Sequence, residues 1–119
     1  AQVHAGVQFI AEMSDELLKD YYAHAEIACF LSLYEGFGIP ILESLQYGCK
    51  VLCADIPVFR ELYESYVTFC DPHAADQLKR ILPEMPSKAP LNKEQLLTLN
   101  QRFQVQHTSR VLYEILRNA

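Results

Sequence analysis

Two glutamates, Glu35 and Glu43, stand eight positions apart, with the segment Gly36-Phe37-Gly38 and then Pro40 between them. Carboxylate oxygens are good acceptors for the paired hydroxyl groups of sugars, and this placement allows both side chains to face one bound molecule. The two glycines let the backbone approach a ligand closely. The segment predicts a ligand-binding loop, although a glycine turn with two solvated acids explains the same residues equally well.

A helix that begins near Pro40 would direct its free first-turn amides, among them those of Ile41 and Leu42, toward this loop. If Pro40 is the first helical residue, the cap is Ile39, which offers no side-chain acceptor to those amides. A bound phosphate or hydroxyl would then complete the cap. The expected arrangement is an anion cradle.

The elements that must position this loop follow from the hydrophobic pattern. Short apolar runs predict strands buried in a parallel sheet, and capping residues, prolines and glycines bound the helices between them. The predicted strands are residues 7–10, 27–31, 51–54 and 67–70, and the predicted helices are 14–22, 40–47, 59–63, one ending near 82, 91–103 and 109–117. This order predicts an α/β fold, a Rossmann-like doubly wound parallel sheet with two C-terminal helices. The loop then lies at the carboxyl edge of the sheet, where ligands bind.

Length and charge limit the classes of function. The 119 residues, 50% hydrophobic, suit a single domain, with the sheet and crossover helices in residues 1–86 and the C-terminal helices in 87–119. A net charge of -5 with scattered Lys and Arg argues against nucleic acid as a partner. Because no apolar run approaches the roughly 20 residues of a membrane span and no signal peptide is present, we expect a soluble, cytoplasmic protein, with peripheral membrane contact left open.

The cysteines indicate neither bridges nor a metal site. Three of the four (Cys29, Cys49, Cys53 and Cys70) fall in or beside apolar runs predicted as strands, so reduced thiols are expected. Cys49 and Cys53 lack a second Cys or His pair at zinc spacing. We predict no metal and no cofactor.

The whole segment 32–51, Ser-Leu-Tyr-Glu-Gly-Phe-Gly-Ile-Pro-Ile-Leu-Glu-Ser-Leu-Gln-Tyr-Gly-Cys-Lys-Val, resembles the C-terminal, nucleotide-sugar-binding domain of retaining GT-B glycosyltransferases, the large group 1 family. The likeness covers roughly residues 7–82. It extends through the predicted 14–22 helix, Asp55-Ile56-Pro57 with Glu61, and Asp71-Pro72.

The resemblance implies a role for each residue of the loop. Glu43 would accept hydrogen bonds from the ribose hydroxyls of a nucleotide, and Glu35 would sit at the hydroxyls of the transferred sugar as the candidate catalytic residue. The backbone positions that would hold the sugar or the diphosphate are Gly36, Phe37, Gly38 and Ile39. The helix dipole would stabilise negative charge on the leaving nucleotide.

Two features of the family have no counterpart in the sequence. Family members supply an Arg and a Lys to the diphosphate from a segment upstream of the first strand, and residues 1–6 contain neither. They also bind the acceptor with a separate N-terminal domain. We therefore expect a donor-binding fragment of a retaining glycosyltransferase, inactive without that domain.

Two alternatives remain open. One is a nucleotide-binding or partner-docking module with no chemistry of its own. The other is an NAD-type dinucleotide-binding domain, in which Gly36 and Gly38 would precede an acidic ribose ligand, Asp55, by about twenty residues. However, Ile41 fills the position of the third glycine, which disfavours that motif. The plainer interpretation of Asp55 is a local cap for the next helix.

Overall fold

The computed structural model of the protein describes the backbone of residues 2–4, 6–33, 36 and 38–118, and the side chains of these residues except 2–4 and 104–111. In chain order the elements are β1 Gln2–His4, β2 Val7–Phe9, α1 Asp15–His24, β3 Ile27–Phe30, α2 Ile39–Gln46, β4 Lys50–Ala54, α3 Pro57–Tyr63, β5 Thr68–Cys70, α4 Ala75–Ile81, a 3-10 helix Leu82–Ser87 and α5 Lys93–Arg117.

The centre of the fold is a parallel sheet of three strands in the order β3-β4-β5. The register runs from Ile27↔Lys50 to Phe30↔Cys53 and from Leu52↔Thr68 to Ala54↔Cys70. Helices α2 and α3 form the crossovers, because parallel neighbours require them. The predicted α/β class is confirmed. In the order β3-β4-β5 each new strand is added on the same side of the one before it. A doubly wound sheet also adds strands on the other side of its first strand, and that part of the prediction remains a prediction.

The strand predicted at residues 7–10 forms as β2, but it does not pair with the parallel sheet. It pairs antiparallel with β1, from Gln2↔Phe9 to His4↔Val7. Gly6, with a φ of 84°, lies in the turn between the two strands, in a conformation that glycine adopts at little cost. The hairpin joins residues that are close in sequence, so the entropic cost of closing its loop is small. This favours it over pairing of β2 with a distant strand.

The core covers both faces of β4. Successive residues of a strand point to opposite faces. Val51 and Cys53 face a cluster built on α2 and α3, whereas Leu52 faces a smaller one that includes Met85 of the 3-10 helix. The prediction of a strand buried on both faces is therefore confirmed for β4. It is wrong for the strand predicted at residues 27–31, because Cys29 is exposed although Leu52, its partner on β4, is fully buried.

The C-terminal region forms one helix, α5, rather than the two helices predicted at residues 91–103 and 109–117. Asn92 caps it, since the Asn92 side chain accepts from the Gln95 amide at 2.8 Å while Gln95 reaches back to the Asn92 amide. Residues 104–108 contain neither glycine nor proline, so nothing in them ends a helix. α5 packs on the core through Leu99, which is buried, and through the partly buried Phe103.

All four cysteines are free, as expected, with Cys49, Cys53 and Cys70 buried. Burial raises the pKa of the Cys53 thiol to about 12, which keeps that thiol protonated and unreactive. Across the described parts of the chain, none of the helices has the length and apolar character that crossing a membrane requires.

Candidate functional site

The predicted ligand-binding residues lie in the segment between the carboxyl end of β3 and the start of α2 at Ile39, here called the 31–38 loop, of which residues 31–33, 36 and 38 are described. Because β3 and β4 are parallel, with Phe30 opposite Cys53, the turn that follows β4 at Asp55 emerges at the same edge. The candidate site is thus bounded by the 31–38 loop, the start of α2 and the start of α3.

Gly38 is the cap of α2 and makes the turn from loop to helix. It is buried and left-handed, with φ 64° and ψ 49°, and it provides no side-chain hydrogen bond to the helix. Ile39 is the first helical residue and Pro40 the second, so the prediction of Pro40 first and Ile39 as the cap was wrong by one residue. Glycine takes the cap position because it reaches the left-handed region at low cost. The expectation of a cap without a side-chain acceptor is confirmed.

The start of α2 has fewer free amides than the predicted anion cradle required. The Ile41 and Leu42 amides both donate to the Gly38 carbonyl, at 2.9 and 3.4 Å, so they are not available to a ligand. The reason is the earlier helix start, which closes the first turn on Gly38. Pro40 has no amide hydrogen. No described residue accepts a hydrogen bond from the amide of Gly38 or of Ile39, so these two amides are the candidates left for a ligand.

Gly36 and Gly38 differ in what surrounds them. A side chain added at Gly36 would meet nothing within 4 Å, and this glycine does not have a positive φ. A Cβ at Gly38 would lie 2.8 Å from Cε1 of Phe59. The fold therefore requires glycine at position 38 and leaves position 36 open and exposed.

Glu43 lies in the second turn of α2 and is half-buried. The pKa of Tyr22 on α1 is raised by burial and, to a smaller degree, by the negative charge of Glu43 and by Cys49. Glu43 is thus close enough to α1 for its charge to act there. Two further predicted site residues, Glu35 and Phe37, lie outside the described residues.

Asp55 is engaged within the protein. Its carboxylate accepts two hydrogen bonds from Arg60, at 2.7 Å from Nε and 2.8 Å from Nη2, and the pKa of Asp55 is lowered, chiefly by that hydrogen bonding. The cap of α3 is Ile56, so Asp55 is an ion-pair partner of α3 rather than its cap. A paired carboxylate is a poor ribose ligand, which further disfavours the dinucleotide-binding alternative.

The structure adds two residues that the sequence did not bring to the site, Phe59 and Tyr63 of α3. The Phe59 ring occupies the space that a Cβ at Gly38 would need, and the Tyr63 hydroxyl donates to the Gly38 carbonyl at 3.1 Å. The only signal in the sequence is their spacing of four, which places both on one face of a helix.

Two further observations concern ligands elsewhere. A cavity of about 290 Å³ lies at the opposite, amino edge of the sheet, between Lys50, Tyr66 and Lys88, and it contains none of the predicted site residues. Within the ranges that the structure describes, no three His, Cys, Asp or Glu side chains are grouped so as to hold a metal ion. The prediction that no metal is bound remains a prediction.

Comparison with known proteins gives the family. The family model for glycosyl transferases group 1 matches residues 1–96. The chain is 30% identical over 83 residues to the serotype-specific mannosyltransferase WbdA of Escherichia coli, which covers 70% of this chain and 10% of that protein. It is 36% identical over 66 residues to the O-antigen chain mannosyltransferase RfbU of Salmonella typhimurium, covering 56% of this chain and 19% of the relative. No solved structure matches significantly.

The family match extends over most of the chain, and we conclude that this chain belongs to the group 1 glycosyl transferases. The aligned residues amount to between a tenth and a fifth of the length of these relatives.

Proposed function

We propose that this chain is the donor-binding domain of a retaining glycosyltransferase of the GT-B type, and that it holds a nucleotide-diphosphate sugar at the 31–38 loop and the start of α2. The observation that carries the proposal is Gly38. In a chain of this family, a buried left-handed glycine turns the loop at the carboxyl edge of the sheet into α2. Ligands of parallel α/β sheets bind at that edge.

In this proposal the backbone provides the anion site. The amides of Gly38 and Ile39 donate to the sugar or the diphosphate, together with the backbone at Phe37. The positive end of the α2 dipole stabilises the charge that develops on the departing nucleotide. Gly36 allows close approach, because a side chain there would occupy open space beside the ligand rather than protein.

The carboxylates provide recognition of hydroxyl groups. Glu43 accepts from the ribose of the nucleotide, and its half-buried position favours this role, since a hydrogen bond to a charged group contributes more where water is partly excluded. Glu35 accepts from the hydroxyls of the transferred sugar and acts at the reacting end of the ligand. Retention of configuration and the need for a separate acceptor-binding domain are carried over from the family resemblance.

We propose mannose as the transferred sugar, because relatives that align with this chain are named mannosyltransferases. Calorimetric titration of the 119-residue chain with the UDP, GDP and ADP forms of mannose, and with the matching forms of glucose, tests this. We expect saturable binding to one nucleotide series, with the mannose form preferred. Absence of binding to every nucleotide-mannose would contradict the proposal, and equal affinity for both sugars would contradict the choice of mannose.

Transfer itself needs a second experiment. The chain is expressed together with the acceptor-binding domain of a group 1 relative, and product formation from the preferred nucleotide sugar is measured. A donor-binding domain yields product only in that combination. If the chain binds a nucleotide sugar but forms no product with any acceptor-binding domain, the alternative of a non-catalytic nucleotide-binding module is favoured.

A further inference from the structure

The carbonyl oxygen of Gly38 is shared by three hydrogen-bond donors. Two of them, the Ile41 and Leu42 amides, belong to α2 itself. The third is the hydroxyl of Tyr63, at 3.1 Å, which comes from the far end of α3. A single carbonyl therefore joins the loop, the first turn of α2 and a second helix.

Both ends of this contact are buried. Tyr63 is 0% exposed and Phe59, one turn earlier on α3, is 1% exposed. The Phe59 ring leaves no room for a Cβ at Gly38, since Cε1 would lie 2.8 Å from it. Gly38 is thus held from one side by a ring contact and from another by a hydrogen bond.

The orientation of this peptide matters for ligand binding. The Gly38 carbonyl and the Ile39 amide belong to the same peptide plane. A donor that fixes the direction of the carbonyl therefore fixes the direction in which the Ile39 amide points, which is opposite to the carbonyl. Tyr63 acts on that amide without needing to touch the ligand.

We propose that Tyr63 is a positioning residue for the sugar-donor site. Its hydroxyl holds the Gly38-Ile39 peptide in the orientation in which the Ile39 amide faces the diphosphate. This inference rests on the proposed function. It adds to the site a residue of α3, which lies outside the loop motif.

The test is Tyr63→Phe, which removes the hydroxyl and keeps the buried ring. Three quantities are measured on wild type and variant: the carbonyl ¹³C shift of Gly38, the exchange rates of the Ile41 and Leu42 amides, and the dissociation constant for the nucleotide sugar that the wild type prefers. In the variant we expect a changed Gly38 shift and roughly a five- to tenfold weaker ligand affinity. Relative to wild type, the exchange rates of the Ile41 and Leu42 amides should rise by a larger factor than those of the β4 amides.

Tyr66→Phe is the matched control, because Tyr66 is a half-buried tyrosine that lines the cavity at the other edge of the sheet. It should leave all three quantities unchanged. An unchanged Gly38 shift and unchanged exchange in a folded Tyr63→Phe variant would overturn the inference, as would changes spread evenly over β4. If the wild type binds no nucleotide sugar, the proposed function fails, and the shift and exchange data still decide whether Tyr63 holds this peptide.

Discussion

Asp55 and Arg60 form a bidentate ion pair at the carboxyl edge of the sheet, with both carboxylate oxygens within 2.8 Å of guanidinium nitrogens. The guanidinium also lies 4.1 Å from the centre of the Phe69 ring on β5. The pair therefore joins the turn after β4, the helix α3 and the last strand of the described sheet. Since α3 carries Phe59 and Tyr63, this pair supports the helix that contacts the loop.

The ion pair predicts a pH dependence of stability. The pKa of Asp55 is lower in the folded chain than in the unfolded chain. The ion pair therefore stabilises the fold fully above the pKa that Asp55 has when unfolded, and this stabilisation is lost as the pH falls through the lower pKa of the folded state. We expect the thermal midpoint of Asp55→Asn to be less sensitive than wild type to acidification below the ordinary aspartate range. Asp76→Asn, at an exposed aspartate of α4, is the control. Identical acid sensitivity of wild type and Asp55→Asn would contradict the prediction.

Replacing Gly38 should destabilise the fold and not only the site. Gly38 has a positive φ, so any residue with a Cβ is strained at this position. Gly38→Ala should lower the free energy of unfolding by more than the roughly 1–2 kcal/mol of a left-handed alanine, because the Phe59 contact adds to the backbone strain.

Gly48→Ala separates these two costs. Gly48 also has a positive φ, 88°, but a Cβ there meets nothing within 4 Å. Urea unfolding of both variants should therefore show the backbone cost alone at position 48 and a larger loss at position 38. Equal losses would mean that the Phe59 ring moves aside without cost.

The ribose role of Glu43 predicts weaker nucleotide binding without unfolding. Glu43→Ala should reduce nucleotide affinity by about 1–3 kcal/mol, the range for removing a hydrogen bond to a charged group. Calorimetry gives the affinity, and the thermal midpoint shows whether the fold is intact. Glu84→Ala, an exposed glutamate near the amino edge, should bind as wild type does. Wild-type affinity in a folded Glu43→Ala variant would exclude the ribose assignment.

The sugar role of Glu35 is distinguished by comparing two ligands. Glu35→Ala should weaken binding of the intact nucleotide sugar more than binding of the bare nucleoside diphosphate, because its proposed partner is present only in the former. Both affinities are measured by competition on one protein preparation. Equal losses for the two ligands would place Glu35 at the nucleotide instead.

Docking of α5 on the core is tested by two leucines of that helix. Leu99 is 1% exposed and belongs to the main core cluster, whereas Leu97 is 57% exposed. Leu99→Ala should lower the free energy of unfolding by about 2–5 kcal/mol, the usual cost of deleting a buried leucine side chain. Leu97→Ala should change it by less than about 0.5 kcal/mol. Similar values for the two variants in urea unfolding would show that α5 does not pack as described.

The sequence predicts well those features that depend on neighbouring residues. Residues 51–54 are apolar without interruption, and β4 is buried on both faces. The helix predicted from residue 14 forms as α1, and the Ser14 hydroxyl caps it by accepting from the Leu17 amide at 3.2 Å. In both cases the physical cause lies within a few positions of the residue concerned.

Features that depend on distant residues were missed. The requirement for glycine at position 38 comes partly from Phe59, and the third donor to its carbonyl comes from Tyr63, twenty-five positions along the chain. No local pattern reports such contacts. The partner of β2 was missed for another reason, since β1 has three residues and is too short to show a periodicity.

The amide bonds of the continuous helix α5 all lie roughly along one direction. All the side chains from residue 112 to 118 are exposed, and the principal extents of the chain are 53 × 30 × 30 Å. A body of these proportions rotates more slowly about its short axes than about its long one. Nuclear relaxation rates should therefore depend on the angle between an amide bond and the long axis, so the amides of α5, which share one direction, should relax alike wherever they are equally rigid.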